Sequence, residues 1–204
     1  MSAPSGAEDL FGALPLNDEA AMARLRTGLA KEAQRTGLLD IAYREVDSPV
    51  GSLLLAATEQ GLVRVAYEVQ DHDRVLAALA GTVSPRILRA PARLDPVARQ
   101  LEEYFGGGRQ RFDVPLDFRL AHGFRRSVLA HLPDIGYGHT ESYAQVAAAT
   151  GSPRAVRAVG TACALNPLPV VVPCHRVIRS DGSLGQYAGG AVAKEALLQL
   201  EGAA

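Results

Sequence analysis

Tyr143-Ala144-Gln145-Val146-Ala147-Ala148-Ala149-Thr150, then Gly151-Ser152-Pro153, then Ala155 to Leu165, is the stretch on which the fold turns. Alanine-rich segments on either side of a glycine and proline break predict two short helices joined by a tight turn. That arrangement suggests a helix-turn-helix, and by pattern alone it suits a plain helical bundle equally well. Phe124 to Leu132 predicts a third helix, set off by Gly136-Tyr137-Gly138. Directly downstream runs Asn166-Pro167-Leu168-Pro169-Val170-Val171-Val172-Pro173-Cys174-His175-Arg176-Val177, an apolar, strand-like segment that ends abruptly in a cysteine beside a histidine and an arginine.

Upstream the period changes. Leu39, Ile41 and Tyr43 alternate with Asp40, Ala42 and Arg44. Gly51 to Thr58 and Leu62 to Tyr67 follow, divided by Glu59-Gln60-Gly61, and together these predict a short antiparallel meander. Helices are expected from about Asp71 to Leu79 and from Pro96 to Phe105, the second ended by Gly106-Gly107-Gly108, and Phe112 to Phe118 reads as one more strand. The strand pattern stops near residues 119–123, which places a domain boundary there. Residues 1 to about 16 are rich in Ala, Gly, Pro and Ser and read as a flexible tail. Asn17 is placed to cap a helix carrying Met22, Leu25 and Leu29 at helical spacing, with Gly37 past its end, and that helix is expected to pack on the body. A last helix, Ala191 to Glu201, presents Val192, Ala196, Leu197 and Leu200 to close the core.

Composition narrows the class. A chain of 204 residues with 48% apolar and 21% charged residues is an ordinary globular protein with enough length for one domain with appendages or two packed domains. The longest apolar run, Leu165 to Pro173, falls well short of the roughly 20 residues that cross a bilayer. The N-terminus lacks the basic start and apolar run of a secretory signal, so a cytoplasmic protein is expected. Two cysteines, Cys163 and Cys174, read as free thiols, and they are too few for a four-ligand zinc site. The net charge of −1 excludes a uniformly basic DNA clamp, yet His122 to Ser180 holds six arginines against two carboxylates, a local +4.

Cys174 is the candidate for a reactive thiol. A thiol of ordinary pKa about 8.5 becomes nucleophilic where a base or positive field enriches the thiolate. A lone cysteine is commonly inert core, but here prolines fix the backbone and polar residues crowd an apolar run. Cys163, inside Thr161-Ala162-Cys163-Ala164, reads as helix packing.

Pro173-Cys174-His175-Arg176-Val177, preceded by Asn166-Pro167 and followed by Ser180-Asp181-Gly182-Ser183-Leu184-Gly185-Gln186-Tyr187-Ala188-Gly189-Gly190, closely resembles the active-site block of the O6-alkylguanine-DNA alkyltransferases. The resemblance is strong from Gly123 to Gly202, weak from about Leu39, and absent over the first 38 residues. It implies an α+β fold with an N-terminal extension (1–38) and a small antiparallel-sheet, ribonuclease-H-like α/β domain (39–120). The latter packs on a helical C-terminal domain (121–204) with a winged-helix-like helix-turn-helix.

The same resemblance implies the roles. Cys174 accepts the alkyl group, His175 is its base through a water, and Glu201 orients the histidine, since a carboxylate beyond an imidazole fixes its tautomer and stabilises imidazolium. Tyr143 protonates guanine N3 as the leaving group gains charge. Arg157 enters the duplex in place of the extruded base. Ala155, Ala158 and Gly160, beside Arg154, keep the recognition helix slim enough for the minor groove. Asn166 braces the turn before the cysteine; the backbone at Val177 receives the exocyclic amine; Tyr187 and the Ala188 amide bound the pocket near O6, and Gly189-Gly190 permit close backbone approach. The partner implied is double-stranded DNA bearing O6-alkylguanine, with O4-alkylthymine a further substrate, met by a monomer that needs no cofactor or metal. Cooperative binding along DNA is left open. Three residues depart from the family pattern: Leu129 where tryptophan is common, Gly136 where proline is common, and Ala188 where some members have serine. Competing readings are a lesion sensor, whose kind lacks the acceptor cysteine, a helix-turn-helix regulator, and a cysteine hydrolase.

Overall fold

The computed structural model describes residues 19–203. Three strands, β1 (Ile41–Val46), β2 (Leu53–Ala57) and β3 (Leu62–Tyr67), form the expected antiparallel meander. Then α2 (His72–Thr82), numbered after the first helix α1 (Glu19–Arg35), leads to β4 (Ile87–Arg89). That strand pairs parallel to β1, so the order is β3-β2-β1-β4 and the sheet is mixed rather than purely antiparallel. Three residues of Ile-Leu-Arg give too short an alternation to signal a strand. Its pairing depends on the helical crossover that precedes it.

The central strand β2, Leu-Leu-Leu-Ala-Ala, is buried along its whole length. Period-2 geometry sends Leu53 and Leu55 to one face and Leu54 and Ala56 to the other. The second face packs on Val75 and Leu79 of α2. The first joins Leu101 and Tyr104 of α3 (Asp95–Phe105). It also meets the helices that follow: α4 (Gly123–His131), α5 (Tyr143–Ala149), α6 (Val156–Ala164) and α7 (Gly190–Leu200). Leu53, Val65 and Tyr67 thus share one core with Leu129, Val146, Val159 and Leu197. The sheet backs directly onto the helical half.

The expected strand Phe112–Phe118 is absent: its single sheet-like contact is an isolated bridge from Leu116 to Leu62. Asp113, Pro115 and Asp117 interrupt it, and proline cannot donate to a ladder. Helix α1 reaches the body through Ala30 and Ala33, which pack with Leu39, Ala42 and Ala90. Met22, Leu25 and Leu29 stay exposed, so the expected apolar face does not dock; Gly37 ends the helix at φ +68° as expected. Asn17 and the N-terminal tail lie outside the described residues. In α7 the buried face is Ala193, Lys194, Leu197 and Leu198, one position round from the expected one, and Val192 is exposed.

Two small devices position the site. Ser142 and Gln145 close a capping box (Gln145 N to Ser142 Oγ 3.2 Å, Ser142 N to Gln145 Oε1 2.7 Å), which fixes Tyr143 as the first residue of α5. The short strand β5 (Glu141–Ser142) pairs parallel to β6 (Val177–Ile178), tying that helix start to the chain just after Cys174-His175-Arg176.

Candidate active site

The run from Asn166 to Cys174 is not a strand. It is a series of bends and turns, with one buried side chain bonding it at three points. Asn166 donates from Nδ2 to the Val172 carbonyl (2.8 Å) and to Cys174 Sγ (3.1 Å), and its Oδ1 accepts from Leu168 N (2.9 Å). The path needs Val170 at φ +72°, an unusual conformation for a β-branched residue. Cys174 then opens a 3-10 turn, Cys174–Arg176. Its thiol is buried, and that burial pushes it up to about 11 despite the Asn166 donor and the Lys194 charge, both of which lower it. The Cys174 thiol is therefore protonated at neutral pH, whereas the sequence suggested a thiolate enriched by its neighbours.

His175 is fully buried and bonds Glu201 (Nε2 to Oε1, 2.8 Å). Burial would raise Glu201, but bonds from His175, Arg176 and Tyr104 outweigh it and hold the carboxyl at about 2. An ionised carboxylate only accepts, so the proton is on Nε2 and Nδ1 is the bare nitrogen. Nδ1 is buried with no hydrogen-bond partner among the described residues. Glu201 is also shared: Arg176 reaches it through Nε (2.8 Å) and Nη2 (2.9 Å), and Tyr104 donates its hydroxyl (2.6 Å). Burial lowers the His175 pKa and so favours the neutral ring; the bond and charge of Glu201 act the other way, with the Arg176 charge against them.

Tyr143, Asn166, Tyr187 and Lys194 complete the surroundings. Burial first, then the thiols of Cys163 and Cys174, push the Tyr143 hydroxyl up to about 12, so it is protonated at neutral pH. Gly185 lies against it at φ +67°, where any Cβ would sit 2.6 Å from the Tyr143 oxygen. Lys194 is fully buried; its Nζ donates to the carbonyls of Val177 (2.5 Å) and Leu184 and lies 6.0 Å from the Tyr143 ring centre. Beside them a recess of about 470 Å³ is lined by Ala164, Gly185, Gln186, Tyr187, Gly190 and Ala191. Ala188 belongs to the same loop.

The remaining candidates lie apart, on the helix-turn-helix. Arg154, Arg157 and Ala158 are exposed, Ala155 and Gly160 half-buried, while Val159, Ala162 and Cys163 turn inward. Of the six arginines counted from His122 to Ser180, Arg176 is spent internally on Glu201. The expected free thiol of Cys163 is buried. Sequence reasoning did not single out Lys194, Tyr104, Tyr67 (hydroxyl 3.0 Å from that of Tyr187) or the pairing role of Arg176. Lys194 carried a signal, since it precedes Leu197 and Leu198 by three and four positions and so falls on their face of the helix.

This arrangement coincides with matches to known proteins. The ribonuclease-like domain of 6-O-methylguanine DNA methyltransferase matches residues 41–118, and that family's DNA-binding domain matches residues 123–203. The chain belongs to this family. Methylated-DNA–protein-cysteine methyltransferases of Methanosarcina barkeri and Mycolicibacterium paratuberculosis are each 40% identical to it, over 78% and 79% of this chain and 96% and 92% of theirs. A crystal structure of the Mycobacterium tuberculosis homologue in complex with DNA superposes with a TM-score of 0.70 at 38% identity, covering 79% of this chain and 92% of that one. As a 6-O-methylguanine DNA methyltransferase family member, the chain is a DNA-binding repair protein that moves an alkyl group to a cysteine. None of its described helices is long and apolar enough to cross a membrane.

Proposed function

We propose that Cys174 is the accepting cysteine and that the substrate is O6-alkylguanine, with O4-alkylthymine as a second, in double-stranded DNA. The observation that carries this reading is the bare Nδ1 of His175 in the same buried turn as a thiol gripped by Asn166. His175 Nδ1 takes the thiol proton through a water. The thiolate attacks the alkyl carbon, forming the S–C bond as the C–O bond breaks and its electron pair passes to the guanine. Tyr143 gives its proton to N3, so the leaving group departs neutral, and the imidazolium proton replaces the one Tyr143 has lost. S-alkylcysteine has no route back to a thiol here, so each molecule acts once.

Arg157, with Arg154, Ala155, Ala158 and Gly160, meets the duplex and fills the space of the extruded base. Val177, Tyr187 and Ala188 bound the base pocket. In this proposal the domains divide as 39–120 and 121–204, and the protein works as a cytoplasmic monomer without cofactor.

The test is to mix the protein with DNA containing O6-methylguanine and weigh its peptides. A gain of one methyl group on the Cys174 peptide, lost in Cys174→Ala, is expected. Lesion-specific binding with no mass gain would instead make the protein a sensor.

A further inference from the structure

We propose that Tyr67, the last residue of β3 in the N-terminal sheet, is a positioning residue that sets the width of the alkyl-group pocket. It lies outside the catalytic segment, and its effect is exerted on the loop Tyr187-Ala188-Gly189-Gly190. Three contacts carry the inference. The Tyr67 and Tyr187 hydroxyls are 3.0 Å apart, and their rings meet edge to face at 5.7 Å and 71°. Tyr187 in turn stands edge-on to His175, with ring centres 6.3 Å apart. And the Tyr67 ring is seated on Gly189: a Cβ there would lie 2.7 Å from Cε1 and Cζ of Tyr67.

From Arg179 to Gly189 the chain is irregular. Its hydrogen bonds gather at the Arg179–Ser183 end, where Arg179 N meets Ser183 O (2.8 Å), Gly182 N meets Arg179 O (3.0 Å) and Asp181 accepts from Ser183. Past that turn the described bonds are Lys194 Nζ to the Leu184 carbonyl and Gly190 N to Tyr187 O (3.0 Å). Tyr67 itself does not move easily. It is 2% exposed, it is paired across the sheet with Leu53, and β3 is bonded to the active-site run by Val65 N to Pro167 O (2.8 Å). A rigid aromatic from the sheet therefore fixes where Tyr187 and Gly189 stand, and Tyr187, Gly185 and Gly190 line the recess of about 470 Å³. Burial raises the pKa of both phenols, so both stay protonated and the hydroxyl pair keeps a donor at any ordinary pH.

The inference rests on Cys174 being the acceptor, and the experiment separates the two. Single-turnover transfer to Cys174 is measured by mass from oligonucleotides bearing O6-methylguanine or O6-benzylguanine. The proteins are wild type, Tyr67→Leu, Tyr67→Phe and Gly189→Ala, and each Tyr67 variant combined with Gly189→Ala. Tyr67→Leu keeps an apolar side chain in the core while removing the ring edge that meets Gly189, and melting temperatures report folding. Because angstrom-scale displacement of a reacting group costs tenfold or more, Gly189→Ala is expected to slow both substrates about tenfold in wild type and in Tyr67→Phe. In Tyr67→Leu that penalty should largely vanish, and the benzyl-to-methyl rate ratio should rise about tenfold as the wall recedes. A purely structural role would lower stability without changing that ratio or turning a second substitution into a neutral one. Equal Gly189→Ala penalties in the Tyr67 and Leu backgrounds, with an unchanged ratio, would overturn the assignment. Wild type that gains no mass from either oligonucleotide would overturn the acceptor reading, and this inference with it.

Discussion

Arg176 and Glu201 form a bidentate pair inside the protein, Nε to Oε2 at 2.8 Å and Nη2 to Oε1 at 2.9 Å, on the same carboxylate that bonds His175. The pair changes what the carboxylate does. With a guanidinium already on it, Glu201 fixes the tautomer of His175 while the ring stays neutral and free to take a proton at Nδ1.

Removing one partner of such a pair leaves the other charge buried alone. Glu201→Gln keeps the shape but strands Arg176, which is 5% exposed. Breaking a buried pair in this way costs about 3–5 kcal/mol. Chemical denaturation should show a loss of that size, and Arg176→Met, which leaves the buried Glu201 carboxylate without its guanidinium, should cost a comparable amount in the same assay. Equal midpoints for Glu201→Gln and wild type would mean the pair is not formed.

The same carboxyl makes stability depend on acid. Its folded pKa, about 2, lies below the usual 4.5. A depressed carboxyl contributes in full above its unfolded pKa, and the contribution is lost as pH falls from about 4.5 through about 2. Linkage gives a magnitude on the order of 3 kcal/mol. Unfolding free energies measured from pH 6 down to pH 2 should fall more steeply for wild type than for Glu201→Gln, the two curves converging at the acid end.

Cys174 should behave as a shielded thiol toward soluble reagents. With its pKa pushed up to about 11, only about one molecule in a thousand carries the thiolate at pH 8. Iodoacetamide labelling of the Cys174 peptide should therefore rise about tenfold per pH unit, without the plateau near pH 8.5 of a free thiol. Asn166→Ala removes the 3.1 Å donor to Sγ and should slow labelling further at fixed pH. Faster labelling in that variant would show that the asparagine guards access instead of steadying the sulfur.

Much of this was legible in the sequence, for local reasons. The capping box at Ser142 and Gln145, the glycine-ended helices and the all-apolar β2 are written in neighbouring residues, so α2 to α6 and the meander fall where periodicity puts them. What escaped depends on residues distant in the chain. The parallel partner of β1 is three residues long and 46 positions away from Ile41 in its Ile87 pairing. The apolar run before Cys174 is a strand by composition, yet Asn166 and three prolines bend it. Cys174, His175, Asn166 and Tyr187 do converge, while Tyr104 and Tyr67 reach the same site from the other half, where no local pattern distinguishes them from core aromatics. Lys194 is the exception that helical period alone could have exposed.

Arg157 offers the cleanest separation of DNA handling from chemistry. It sits on the exposed side of α6, while Val159, Ala162 and Cys163 of that helix face the core, and it has no part in the contacts around Cys174. Truncating it should leave folding and the His175–Glu201 relay intact. Extruding a base costs a few kcal/mol, and a side chain that fills the vacated space recovers part of that. Arg157→Ala should therefore slow repair of O6-methylguanine in duplex DNA by about tenfold or more, equivalent to roughly 1.4 kcal/mol. Free O6-benzylguanine needs no extrusion, so its transfer to Cys174 should change by less than about twofold, within the usual effect of a surface substitution. Parallel rate measurements on the two substrates decide the matter: equal losses on both would place Arg157 in the support of the pocket, and equal rates to wild type on the duplex would leave extrusion to some other group.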